Sequence, residues 1–242
     1  MRTGIILPTF RDTPDEAFDT AKRALLAGVD GLFCYDHIWP MGQPERPALA
    51  PFPVLASLIA SLDLPEEVGR GPYFGTLVAR VGLVPNEVLI GQFRALDHLA
   101  PGRIIAGLGT GDRLSEQENL AYGIPFAPAA ERRADLVEVA RALRSSGLAV
   151  WVAGGLAARV DETLASGAAL NVWDAAPQVV TERSARDGVE VTGGGPAPKT
   201  DGELRELVLS LAGAGATWAV FGWPVALDVL VSAAAEATLT ED

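Results

Sequence analysis

The chain alternates short apolar, β-branched runs with longer stretches of helical period, the pattern of repeated strand–helix units around a parallel sheet. Thr3 to Pro8 reads as the first strand. Pro14 to Ala27 follows as a helix, with Thr13 as N-cap, Asp15 and Glu16 in its first turn and Gly28 as C-cap. Further strands are predicted at Asp30–Tyr35, Tyr73–Ala79, Ile104–Gly109, Leu148–Ala153, Ala169–Trp173, Val189–Thr192 and Thr217–Gly222. Helices are predicted at Val54–Leu62, Asn86–Leu99, Ala129–Arg144, Ala157–Ser166, Pro177–Ala185, Asp201–Ala214 and Val225–Ala237. Pro40 to Pro53, rich in Pro and Gly, reads as a loop on the upper face, and Gly111 to Pro128 as a longer excursion holding a short turn.

Strand–helix pairs in this number and order are what a (β/α)8 TIM barrel needs. A doubly wound open sheet also alternates strand and helix, but no strand here leads into a full Gly-x-Gly-x-x-Gly fingerprint with a downstream acid. No linker or composition shift divides the chain, so a single α/β domain with reduced insertions is expected.

Charge narrows the partners. A net charge of −12 with no basic stripe argues against nucleic acid and against anionic membrane surfaces, and leaves a small molecule. The lone Cys34 lies in an apolar run and has no internal disulfide partner, which fits a cytoplasmic chain. No signal peptide or membrane span is evident. With Cys34, His37 and His98 as the available soft ligands, no metal site is expected.

Strand C-terminal ends face the active site of a barrel, so polar residues there are the candidates. Asp36-His37 closes the second strand, setting a carboxylate beside an imidazole that can donate, accept or relay a proton; a cap and a loop hydrogen bond explain the pair equally well. Gly75-Thr76-Leu77-Val78 places a glycine inside the third strand, a sign of a bulge or of close approach, with ordinary barrel packing as the plainer explanation. Gly107-Leu108-Gly109-Thr110-Gly111-Asp112 ends the fourth strand, where Asp112, beside Thr110 and Ser115, is an acid/base, a cofactor anchor or a helix cap. Gly154 and Gly155 end the fifth strand at a helix start, where amide N–H groups suit a phosphate. Gly193-Gly194-Gly195-Pro196 follows the seventh strand, at a phosphate position in many barrels or as a flexible turn. Trp39, Trp173, Trp218 and Trp223 lie near strand ends and stack on a planar cofactor or pack in the core.

Gly31-Leu32-Phe33-Cys34-Tyr35-Asp36-His37-Ile38-Trp39, Phe74 through Val78, Leu96 through Arg103, Gly107 through Asp112, and Tyr122-Gly123-Ile124-Pro125-Phe126 with Glu131-Arg132 occur in that order. Together they resemble the bacterial luciferase-like monooxygenase superfamily, which holds flavin-dependent monooxygenases and deazaflavin-dependent dehydrogenases and reductases. The resemblance thins beyond Gly155. It implies that Asp36 and His37 face a cofactor ring and substrate, and that a bulge with a non-proline cis peptide at Leu77-Val78 backs the ring. It also implies that Asp112 stands where a sugar-phosphate-oxidising branch keeps a proton donor, with a shorter side chain, and that Gly154 and Gly155 hold cofactor phosphate. Gly75, Thr76, Gly109, Thr110 and Ser115 complete the implied cofactor contacts.

The chain departs from the family pattern in joining its helix at Ala129–Arg144 to the fifth strand by Ser145 to Ala149 alone, and in having Ala168-Ala169 where many relatives have Asp-Gly. Part of the usual lid is therefore missing. The resemblance implies an oxidoreductase using the deazaflavin coenzyme F420 (F-420) for hydride transfer with a small organic substrate, and a homodimer. FMN-dependent monooxygenation is the alternative within the family, and a non-catalytic, degenerate flavin-binding barrel the alternative outside enzymology.

Overall fold

The computed structural model describes residues 1–40, 42–67, 71–153, 166–184 and 189–239. Eight strands run in chain order and close on themselves: β1 (Arg2–Ile6), β2 (Gly31–Cys34), β3 (Tyr73–Arg80), β4 (Ile104–Gly109), β5 (Ala149–Ala153), β6 (Ala169–Trp173), β7 (Val191–Gly195) and β8 (Trp218–Gly222). Every neighbouring pair is parallel, and β8 returns to β1 with Arg2 opposite Trp218 and Ile6 opposite Gly222. The expected (β/α)8 barrel is therefore the fold. Among the described residues the helices are α1 (Asp15–Ala27), α2 (Pro51–Ser61), α3 (Asn86–Leu99), α4 (Arg113–Ala121), α5 (Ala129–Ser145), α6 (Pro177–Ser184), α7 (Asp201–Gly213) and α8 (Leu227–Leu239).

Closure sorts the apolar side chains into two cores, because alternate strand residues point to opposite faces. Outward residues such as Leu32, Phe74, Leu108 and Phe221 meet the buried stripes of the helices, for example Leu89, Ile90, Phe93 and Leu96 of α3. Inward residues, among them Ile6, Phe33, Trp151, Trp218 and Val220, fill the cylinder. Phe33, Trp151 and Trp218 pack edge-on or stacked at 5.2 to 6.1 Å between centroids, which plugs the barrel below its mouth. Trp218 is thus a core residue. Arg2 closes the floor over the Tyr73 and Trp218 rings.

Three local expectations need correction. Thr13 does not cap α1: Pro14 takes that position in helical conformation, and the Thr13 hydroxyl instead bonds the Asp15 carboxylate at 2.8 Å. Gly28 does end the helix, at φ +92°. The excursion after β4 contains a full helix, α4, not a short turn. Gly193, Gly194 and Gly195 belong to β7 itself, which lies two residues further along than the glycine run suggested. Their reason is contact: a Cβ on Gly194 would lie 1.7 Å from the Val220 carbonyl oxygen of β8. Glycine is poor in strands in general, but here the backbones of two strands meet.

Cys34 is fully buried on β2, and burial pushes its thiol pKa well up. Native protein is therefore expected to resist iodoacetamide and to take up one equivalent only after unfolding, as mass spectrometry would show.

Candidate active site

The tips of β2, β3 and β4 and the first turns of α4 form one wall of the barrel mouth. At β2, the chain leaves Cys34 through Tyr35, Asp36 and His37. The Asp36 carboxylate accepts the Arg80 backbone N–H of β3 at 3.0 Å, which ties the two tips together. Between them the β3–β4 register shifts at Thr76 to Ala79, and the Leu77–Val78 peptide is cis, as the family resemblance implied. The glycines of β4 make room for that bulge. A Cβ on Gly107 would lie 2.0 Å from the Thr76 carbonyl oxygen, and one on Gly109 would lie 2.5 Å from Val78 Cγ2. Gly75 and Thr76 sit lower in the wall, Gly75 against the Ile105 carbonyl oxygen and Thr76 donating to the Gly107 carbonyl at 2.8 Å.

After β4 the chain turns through Thr110, which is buried, and Gly111, at φ +69°. Gly111 has no room for a Cβ, since Arg80 Cδ and Ser115 Cβ would each lie 2.9 Å away. Asp112 is the N-cap of α4, accepting from the Leu114 and Ser115 N–H groups at 2.9 and 3.0 Å and from the Ser115 hydroxyl at 3.2 Å. This cap aims α4 so that Ser115, Glu118 and Asn119, at helical spacing, face inward.

Two residues that the motif pattern did not single out then complete the wall. Glu118 is 0% exposed and Arg80 3%. Glu118 Oε2 accepts from Arg80 Nη2 at 3.2 Å and from the Ile38 N–H at 2.8 Å, while Oε1 lies 2.7 Å from His37 Nδ1. Arg80 also donates to the Ser115 carbonyl at 3.3 Å. A buried carboxylate survives only when paired and hydrogen-bonded, and this one has three partners, His37 and Ile38 after β2 and Arg80 of β3. The signal for it was a polar stripe at i, i+3 and i+4 in a stretch read as a turn.

Burial shifts the three acids differently. For Asp36 it dominates, and the Glu118 charge adds to it, so its carboxyl sits above the usual range despite Arg80 and His37. For Glu118 burial also pushes up, but the bonds from His37 and Ile38 and the charges of His37 and Arg80 outweigh it and hold the carboxyl low. Asp112 is likewise held low, its desolvation outweighed by the Ser115 and Leu114 donors and by His37. A carboxyl raised on folding favours the folded state least once it ionises, so stability is lost as the pH rises through its raised value. Asp36→Asn, which keeps an oxygen for the Arg80 N–H, is therefore expected to melt above the wild type at neutral pH. That gain should fade as the pH falls through the raised value and vanish well below about 4, the ordinary aspartate value, where the carboxyl is protonated in both states; thermal melts across that range decide it.

Aromatic rings line the rest of the mouth. Tyr35 stacks on Phe10 at 5.7 Å and meets Trp173 of β6 edge-on at 6.4 Å, with His37 6.2 to 6.3 Å from both Phe10 and Tyr35. Burial pushes the Tyr35 phenol up to about 12, so it stays protonated. Next to this ring cluster a cavity of about 830 Å³ opens between Tyr35, Trp173, Trp223 and Pro196, with Arg23 and Lys199 at its edge. Of the other tryptophans singled out, Trp39 is buried against Tyr122 and Trp223 lies beneath Arg23. Asp36, His37, Val78, Gly109, Thr110, Asp112 and Ser115 thus share one wall, and Gly154 and Gly155 lie outside the described residues. No group of three or more His, Cys, Asp or Glu suited to a metal occurs among the described residues, and no described helix is long and apolar enough to cross a membrane.

No family model matches the chain. An F420-dependent glucose-6-phosphate dehydrogenase of Intrasporangium calvum is 36% identical over 132 residues, 54% of this chain and 37% of that protein; the chain thus spans little more than a third of that relative's length. Among solved structures, an F420-dependent secondary alcohol dehydrogenase in complex with an F420-acetone adduct superposes with a TM-score of 0.77 at 12% identity, covering 96% of this chain and 98% of the other. A type II Baeyer-Villiger monooxygenase of Pseudomonas putida in complex with FMN gives 0.58 at 14% identity, over 86% and 71%. The chain thus shares the (β/α)8 fold of these two structures, and over 54% of its length it is similar in sequence to an F420-dependent glucose-6-phosphate dehydrogenase.

Proposed function

We propose that the chain is an oxidoreductase that uses coenzyme F420 to move a hydride to or from a small hydroxyl- or carbonyl-bearing substrate. The observation that carries this reading is His37, set in an aromatic-walled mouth with Nδ1 held by Glu118 and Nε2 without a hydrogen-bond partner among the described residues. The mouth suits a flat tricyclic ring: a bulge on one side, the Tyr35 and Trp173 rings on another, and a cavity within the usual range for ligand sites. Val78, Gly109, Thr110 and Ser115 would hold the ring, and Gly154 and Gly155 are assigned its phosphate.

When bound, F420 would supply or accept the hydride. His37 Nε2 takes the proton of a substrate hydroxyl, or returns one to a carbonyl, as charge develops on that oxygen. Asp36 holds the β2 tip to β3 and so sets where His37 stands. Asp112, ionised and already accepting from three donors, suits the anchoring role better than that of proton donor. Tyr35, Phe10 and Trp173 exclude water around the transferred atoms.

The test is a titration of purified protein with F420 and with FMN, followed by absorbance and fluorescence, and then F420 reduction assayed with glucose 6-phosphate and with short secondary alcohols. F420 binding with turnover of one of these is expected. Binding of FMN alone with oxygen consumption would replace this reading by monooxygenation, and binding of neither would leave a non-catalytic barrel. The reading extends to a cytoplasmic homodimer, supported by the buried lone thiol of Cys34 and by the family resemblance; light scattering at the mass of one chain would remove the dimer.

A further inference from the structure

The hydrogen bonds at the mouth leave His37 with one committed and one uncommitted ring nitrogen. Glu118 is buried, bonded to the Ile38 N–H and paired with Arg80, so its carboxylate is fixed before His37 is considered. Its Oε1 then lies 2.7 Å from His37 Nδ1. An ionised carboxylate only accepts, so Nδ1 must carry the hydrogen, and the lone pair of the neutral ring is on Nε2. The side chain of His37 keeps 21% of its exposure while that of Glu118 keeps 1%, so the open edge of the ring is the one turned away from Glu118.

We infer that Glu118 is a positioning residue, which through Arg80 and the Ile38 N–H locks His37 in the Nδ1–H tautomer and presents Nε2 as the proton-accepting atom at the mouth. Charge reinforces this. Asp36 and Glu118 set two carboxylates against the single guanidinium of Arg80, and Asp112 adds its charge from the start of α4. The Phe10 and Tyr35 rings on the other sides of His37 carry no charge. Neutral histidine in water favours Nε2–H, so the lock reverses the ordinary preference. The assignment rests on the proposed reaction only for its use; the tautomer is a property of the protein alone.

With only two histidines, His37 and His98, in the chain, ring-nitrogen NMR of the cofactor-free protein reads the tautomer directly, and His37→Ala assigns the signal. At a pH where the ring is neutral, wild-type His37 is expected as Nδ1–H. Glu118→Leu should revert to Nε2–H, and so should Glu118→Gln, whose one amide oxygen is taken by the Arg80 and Ile38 donors so that its NH2 faces Nδ1. In F420 turnover, Glu118→Leu and Glu118→Gln should both lose kcat toward the His37→Ala level with KM little changed. Wild-type His37 found as Nε2–H, or an unchanged tautomer in Glu118→Leu, overturns the inference. Should Glu118→Leu not fold, the wild-type and Glu118→Gln spectra decide it. Absence of F420 binding with the expected tautomers would sink the proposed function and leave the lock standing.

Discussion

Gly194→Ala should be the most damaging single-methyl change in the barrel. The added Cβ would lie 1.7 Å from the Val220 carbonyl oxygen, 2.6 Å from its carbon and 2.8 Å from its nitrogen, at a residue whose φ of +142° already disfavours a side chain. All three atoms are Val220 backbone, which cannot swing aside, so β7 must leave β8. A loss of about 4 kcal/mol or more is expected, the range of the severest point mutations, against total stabilities of about 5–15 kcal/mol. The protein should express insoluble or melt roughly 8–16 °C lower. Gly91→Ala is the control: it lies within α3 with nothing within 4 Å of the new methyl, and should gain about 0.5–1 kcal/mol. A Gly194→Ala protein that melts like the wild type would mean that the two strands do not meet there.

The second large effect is chemical. His37→Ala should lower kcat with F420 and a turned-over substrate by about 10²–10⁴-fold, the usual contribution of a positioned general base. F420 affinity should hold, because the proposed ring contacts come from Val78, Gly109, Thr110 and Ser115 and not from the imidazole. Unchanged turnover, with binding confirmed separately, would remove His37 from proton transfer.

The barrel was legible in the chain because each strand–helix pair carries its own local punctuation. α3 and β4 lie where periodicity and the Ala100–Arg103 turn put them, and β6 likewise. The errors fall where tertiary contact overrides local preference. A run of three glycines reads as a turn, yet Gly193–Gly195 is strand because β8 presses against it. Thr13 has the chemistry of a cap, yet Pro14 already adopts the helical conformation and leaves the threonine to Asp15.

The site divides the same way. That Asp36, His37 and Asp112 lie at the barrel mouth was readable because strand ends announce themselves. Glu118 and Arg80 were not, since a charged residue in sequence reads as surface until something shows it buried. Only closing β2, β3 and α4 around a common point brings positions 37, 80 and 118 together, and no local pattern records that convergence.

The wall that holds His37, Arg80 and Glu118 comes entirely from β2 through α4, whereas the 830 Å³ cavity beside it is bordered chiefly by chain that follows β6, β7 and β8. If the proposed function holds, reactivity and molecular selection are carried by opposite halves of the cylinder. Grafting loops from another barrel after β7 and β8 would retune what is accepted while leaving the acid–base apparatus intact.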